Sequence, residues 1–181
     1  MNHPTPGVIA MVVGACLLGP LGAGADVRPS REGMLESKVG TWTPSAHAGI
    51  VFDTPDGTAP QFTGSVERFL TEEISIGPMV QTAFTGDLAQ FGVSGQVKYW
   101  MDIADAVKDS ALVFQAGIGF IHADVNSDDT SWLIPLGMGI DYALNEEQSL
   151  TADLLVSFTD LHTGRGSNAD VMPAIMVGLR F

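Results

Sequence analysis

The chain has 181 residues, 45% of them hydrophobic and 16% charged, and its 8 Lys and Arg against 21 Asp and Glu give a formal net charge of −13. That length suits one domain, the apolar share is too high for a disordered chain, and so few cations cannot neutralise a run of phosphates. Repeat arrays and disorder are set aside, and no nucleic acid is expected among the partners.

Residues 1–25 read as an export signal. Gly7 to Gly19 is an uncharged apolar run, closed by Pro20 and followed by Ala23-Gly24-Ala25, the small-x-small pattern that a signal peptidase cleaves. No Lys or Arg precedes the run, which departs from the usual signal and points to a misassigned start codon as one explanation. An alternative takes Val13-Gly14-Ala15-Cys16 as a lipoprotein signal with Cys16 acylated, although apolar sequence continues to Pro20. An uncleaved membrane helix is a third reading, weakened by the glycines and Pro20. Cleavage near Ala25 removes Cys16, the single cysteine of the chain, and with it disulfide and thiolate-metal chemistry. Export with a cysteine-free product fits a bacterial envelope protein. Residues 26–40 carry no periodic pattern and read as a flexible lead-in to a barrel over 41–181.

After residue 25 no apolar stretch approaches the ~20 residues of a membrane helix, so a membrane-spanning form must be a closed barrel. Period-2 alternation predicts its strands. In chain order they are Trp42 to Phe52, Phe62 to Leu70, Ile74 to Phe84, Phe91 to Met101, Leu112 to His122, Trp132 to Leu144, Leu150 to Asp160 and Val171 to Phe181. The sixth is the cleanest: Trp132, Ile134, Leu136, Met138, Ile140, Tyr142 and Leu144 alternate with Leu133, Pro135, Gly137, Gly139, Asp141 and Ala143. A helix would not produce that split. Turn chemistry separates the strands at Pro55-Asp56-Gly57, Thr71-Glu72-Glu73, Thr85-Gly86-Asp87, Asn126 to Asp129, Asn145-Glu146-Glu147 and His162 to Asp170. The predicted fold is all-β, an eight-stranded antiparallel up-and-down transmembrane barrel, and the even strand count puts both termini in the periplasm.

One set of alternating residues is nearly unbroken in apolarity, while the other holds Glu67, Lys98, Asp141, Asp153 and Arg180. In a soluble ligand-binding barrel the apolar set would face in. Here the polar set is predicted to face in and to form a lumen network near the periplasmic half, because a central charge on the lipid face costs ~2–4 kcal/mol. Arg68 is the one ion of the lipid-facing set, three residues before the turn at Thr71, where that cost falls to about 0–1 kcal/mol and the stem can snorkel. Trp132 and Tyr142 share a face ten positions apart, roughly 23 Å along the membrane normal at ~3.3 Å per residue and ~45° tilt. With Trp42 and Tyr99 they are the predicted aromatic girdle. An eight-strand barrel is just wide enough for side chains to fill it, so no general diffusion pore is expected.

Val66 to Gly77, Ala116-Gly117-Ile118-Gly119-Phe120, Gly137 to Leu144 and Val177-Gly178-Leu179-Arg180-Phe181 together resemble the small outer-membrane β-barrel family of the OmpA-transmembrane/OmpX type. The resemblance covers roughly residues 41 to 181. It implies a monomer in the bacterial outer membrane, in contact with lipid and lipopolysaccharide. It also implies that the barrel-assembly machinery reads Val177, Leu179 and Phe181 as its C-terminal signal. The connections are shorter than the adhesive loops of some relatives, and no peptidoglycan-binding domain follows. His162 and Ser167 faintly resemble the His-x-Ser-Asn motif of lipid A deacylases, but four residues separate them and no carboxylate on the final strand orients the His. The chain is therefore expected not to be an enzyme and to need no cofactor; a narrow channel and a lipid A-modifying enzyme remain the alternatives. His47, His122 and His162 lack metal-ligand spacing, and Asp124, Asp128 and Asp129 lack a calcium-loop pattern, so no metal is expected.

Overall fold

A computed structural model describes residues 39–85, 88–103, 109–124, 128–145, 147–163 and 168–181. The proposed signal with its cleavage point at Ala25, and most of the 26–40 lead-in, lie outside these. The alternating segments form eight strands: β1 (Trp42–Thr54), β2 (Gly57–Phe69), β3 (Ile74–Phe84), β4 (Ala89–Asp102), β5 (Ser110–Asp124), β6 (Asp128–Ala143), β7 (Ser149–His162) and β8 (Asn168–Arg180). Each pairs antiparallel with the next, and β8 returns to β1, so the sheet closes and leaves no edge. The closing ladder runs from Ser45↔Arg180 to Val51↔Ala174, and the Phe181 amide extends it by donating to the Pro44 carbonyl at 3.0 Å.

Local chemistry sets the hairpins. Thr71 Oγ1 accepts from the Ile74 amide at 3.0 Å, and Asn145 Oδ1 accepts from the Glu147 and Gln148 amides at 2.9 and 2.8 Å, so side chains replace ladder partners where the chain reverses. Between β1 and β2 a bulge lies between Val51 and Thr54, with Asp53 at φ 56° and Gly57 at φ 92°. β2 starts at Gly57 rather than Phe62 because Thr58, Ala59 and Pro60 carry no apolar alternation, although the backbone stays paired. Val39 and Gly40, the last residues of the expected lead-in, are held against Phe69, Val39 by a parallel bridge and Gly40 by its amide, which donates to the Phe69 carbonyl at 2.8 Å.

The apolar set faces outward. Every strand presents large exposed hydrophobic side chains, among them Ile50, Phe62, Val80, Val93, Ile118, Leu136, Leu154 and Ile175. The inner face differs along its length. Toward the β1–β2 and β7–β8 hairpins it is filled by Val51, Met79, Leu88, Ile121, Leu133, Leu155, Leu161, Met172 and Met176; toward the β2–β3 and β6–β7 hairpins it carries the charges. The inward set thus carries its charges toward one end, and apolar side chains fill much of the other. That half is mixed, with Gln61, Thr63, Gln81, Gln90 and Ser94 buried among the apolar side chains.

An outward face of this composition fits an acyl-chain environment. Leu136→Arg, at the middle of β6, is expected to lower the free energy of folding into phospholipid bilayers by about 2–4 kcal/mol, whereas Arg68→Leu leaves it within about 1 kcal/mol. Reversible urea titration in vesicles measures both, and equal effects at the two positions would contradict the assigned orientation.

Candidate functional site: a charge-paired lumen plug

β4 and β8 place a cation each in the lumen half that holds the charges, and β2 and β6 place the matching carboxylates. Arg180 Nε and Nη2 donate to the two carboxylate oxygens of Asp141 at 2.9 and 3.0 Å, and Nη2 also donates to Ser149 Oγ at 3.1 Å. Lys98 Nζ pairs with Glu67 Oε1. Glu67 accepts further bonds from Ser65 Oγ and Ser75 Oγ, both at 3.0 Å. All four charged residues are buried. A fork-to-fork Arg–carboxylate pair with an extra hydroxyl acceptor is the geometry in which a buried pair best recovers its desolvation cost.

Trp100 joins the two pairs. The Arg180 guanidinium lies 4.7 Å from the centroid of its ring, while its indole Nε1 donates to Ser75 Oγ at 2.9 Å, the same hydroxyl that donates to Glu67. Phe69 packs beside the indole, ring centroids 5.3 Å apart and the planes tilted by 41°. Sequence reasoning passed over Trp100. The available signal was its place on the charge-bearing face of β4, where an indole in the lumen needs a partner for its N–H.

Asp153, expected in the same network, stands apart: its Oδ2 lies 3.3 Å from His47 Nε2. Trp42, Tyr99 and Tyr142 are exposed at the end with the β2–β3 and β6–β7 hairpins, and Trp132 is exposed at the opposite end. Val177 lies exposed on the outward face of β8, with Leu179 on that face and Phe181 beyond the strand partly covered. His162 Nδ1 lies 3.5 Å from Asp160 Oδ1 on an exposed surface, too long for a hydrogen bond, and Ser167 is outside the described residues. The Asp129 carboxylate is taken up by the amides of Thr130 and His162 at 2.8 and 2.7 Å, and His122 Nδ1 meets Thr130 Oγ1 at 2.8 Å. Among the described residues no group of three His, Cys, Asp or Glu side chains is placed to hold a metal ion.

No family model matches the chain, and no curated protein sequence matches it. Solved structures do. Neisserial surface protein A is 14% identical, with a TM-score of 0.57 over 77% of this chain and 94% of that one. The N-terminal β-barrel domain of Pseudomonas aeruginosa OprF is 16% identical, with a TM-score of 0.54 over 77% and 97%. The fold is that of a small outer-membrane barrel. At such low identity the likeness extends to the fold and not to any side chain of the plug.

Arg180→Ala is expected to destabilise the barrel by about 3–5 kcal/mol, since it strands Asp141 in the lumen, and the double replacement Arg180→Met with Asp141→Leu is expected to recover most of that loss. Urea unfolding in micelles measures both. A double variant as unstable as the single one would show that the pair is not the source of the effect.

Proposed function

We propose that this chain is an integral protein of the bacterial outer membrane, exported with cleavage near Ala25, whose closed barrel serves a structural or surface-interaction role and neither conducts nor catalyses. The observation that carries the reading is the combination of an apolar outward face on all eight strands with a lumen closed by Arg180–Asp141, Glu67–Lys98 and the Leu133, Leu161 and Met172 layer. Side chains filling an eight-strand barrel in this way leave no open bore for solutes. The OmpA/OmpX-type resemblance agrees with it, and one of the two solved barrels named above is a surface protein.

In this reading both termini lie in the periplasm, and Trp42, Tyr99 and Tyr142 sit at the inner interface opposite Trp132 at the outer one. Lipid and lipopolysaccharide surround the monomer. Val177, Leu179 and Phe181 are what the assembly machinery recognises.

The test has two parts, location and conduction. After membrane fractionation the protein is expected in the outer membrane, migrating differently on gels before and after boiling, and the purified barrel is expected to give no discrete conductance steps in planar bilayers. Recovery without detergent from the periplasm would overturn the location. Reproducible channel steps would overturn the sealed lumen, and altered lipid A mass on expression would overturn the non-catalytic role.

A further inference from the structure

β1 and β8 meet over a shorter ladder than most of the barrel's strand pairs. It runs from Ser45↔Arg180 to Val51↔Ala174, against Ala89↔Asp124 to Asp102↔Ala111 for β4–β5. His47 lies over the middle of this seam. Its ring leaves β1, passes over β8 and brings Nε2 within 3.3 Å of Asp153 Oδ2 on β7. Two glycines make the crossing possible. Gly178 is the register partner of His47 on β8, and a Cβ there would stand 2.3 Å from His47 Cδ2. Gly139 is the register partner of Asp153 on β6, and a Cβ there would stand 2.0 Å from Asp153 Oδ1. Any larger side chain at either position would displace one member of the pair.

The pair borders an internal cavity of about 10 Å³ whose lining includes His47, Thr63, Lys98, Gln115 and Asp153. That is close to the space one water molecule needs, and the lining offers the two to four polar partners such a water requires.

The charges around the pair leave it one proton. Glu67 from β2 and Lys98 from β4 neutralise each other, as do Asp141 from β6 and Arg180 from β8. Among the described residues β3 and β5 turn no ionisable side chain into the lumen; Ser75, Met79 and Gln81, and Val113, Gln115 and Ile121, stand there instead. His47 and Asp153 together are therefore neutral only when they hold one proton between them. With none the lumen gains a net negative charge, and with two it gains a net positive charge beside Lys98. Neither is well solvated in this interior.

We propose that His47 and Asp153 form a proton-binding site inside the lumen, in which one proton is shared between Nε2 and Oδ2, a water in the adjoining cavity is its immediate exchange partner, and its occupancy sets the strength of the β1–β8 seam. In the sharing step the Nε2–H bond breaks as the Oδ2–H bond forms, and no charge leaves the pair. A second proton, taken from water in acid, gives imidazolium and carboxylic acid together; loss of the only proton to hydroxide gives imidazole and carboxylate.

Nitrogen-detected NMR of the imidazoles, with the folded barrel in micelles, tests the site. His122 and His162, both exposed at the rim, serve as references. His47 is expected to keep a proton on Nδ1 while its Nε2 shows the intermediate shift of a shared proton, and to follow a titration curve separate from theirs, and Asp153→Asn is expected to move the His47 curve alone. In parallel, the temperature at which the barrel loses its folded gel mobility is expected to vary with pH between about 3 and 8, the span of ordinary carboxylate and imidazole titration, and to vary less in His47→Gln. A His47 that near neutral pH is the neutral Nε2–H tautomer with no proton on Nδ1, or that titrates with the rim histidines in both wild type and Asp153→Asn, overturns the shared proton. A pH profile unchanged in His47→Gln overturns the effect on the seam. Should Asp153→Asn fail to fold, the wild-type tautomer and curve, with His47→Gln, still decide the matter.

Discussion

A barrel of eight strands encloses room for little more than one layer of side chains, and whatever charge enters that space gives up its water. Each carboxylate directed inward therefore has to find its counter-charge on another strand. Asp141 finds Arg180 on β8, which is far away in sequence but adjacent once β8 has paired with β7 and β1; Glu67 finds Lys98 across β3. The pairs form only when the sheet closes with its proper register, so they tie the chemistry of the lumen to the topology of the whole chain. A slip of one residue in β6 or in β8 would turn Asp141 or Arg180 out of the lumen and strand its partner there.

The two halves of the interior divide the work. The charged half, next to the β2–β3 and β6–β7 hairpins, is specific: Trp100 touches one ion pair through its ring face and is linked to the other through its N–H and Ser75, so the arrangement admits few substitutes. The opposite half is filled by Leu133, Leu161, Met172 and Met176, whose packing is tolerant of shape and, for methionine, adaptable. His47 and Asp153 lie where the two meet. There the lining is still polar but the matched pairs have been used up.

Strand number, order and outward face were legible in the sequence, because lipid on one side imposes alternation over the whole width of the membrane. Strand ends were less so. β2 begins at Gly57 and β6 at Asp128, in stretches where outward positions such as Thr58 and Thr130 have passed beyond the apolar belt and the period-2 signal fades. The charged inward residues are assigned by the alternation, which puts Glu67, Lys98, Asp141, Asp153 and Arg180 on the face opposite the apolar one. Their partners are not, because Trp100 meets Arg180, and His47 meets Asp153, through a register that no local pattern encodes. Ile121, Leu133 and Leu155 are placed inward by the alternation alone, since they share a face with Gln115, Asp141 and Asp153.

The account stands on the direction in which the two faces point. Spin labels placed one at a time at Ile134, Ile175, Leu133 and Met176, in the refolded barrel in lipid vesicles, report that direction through their collision rates with dissolved oxygen. Labels at Ile134 and Ile175 are predicted to be mobile and strongly relaxed by oxygen, while those at Leu133 and Met176 are immobilised and shielded. The reverse pattern would mean that the sheet is wrapped the other way round.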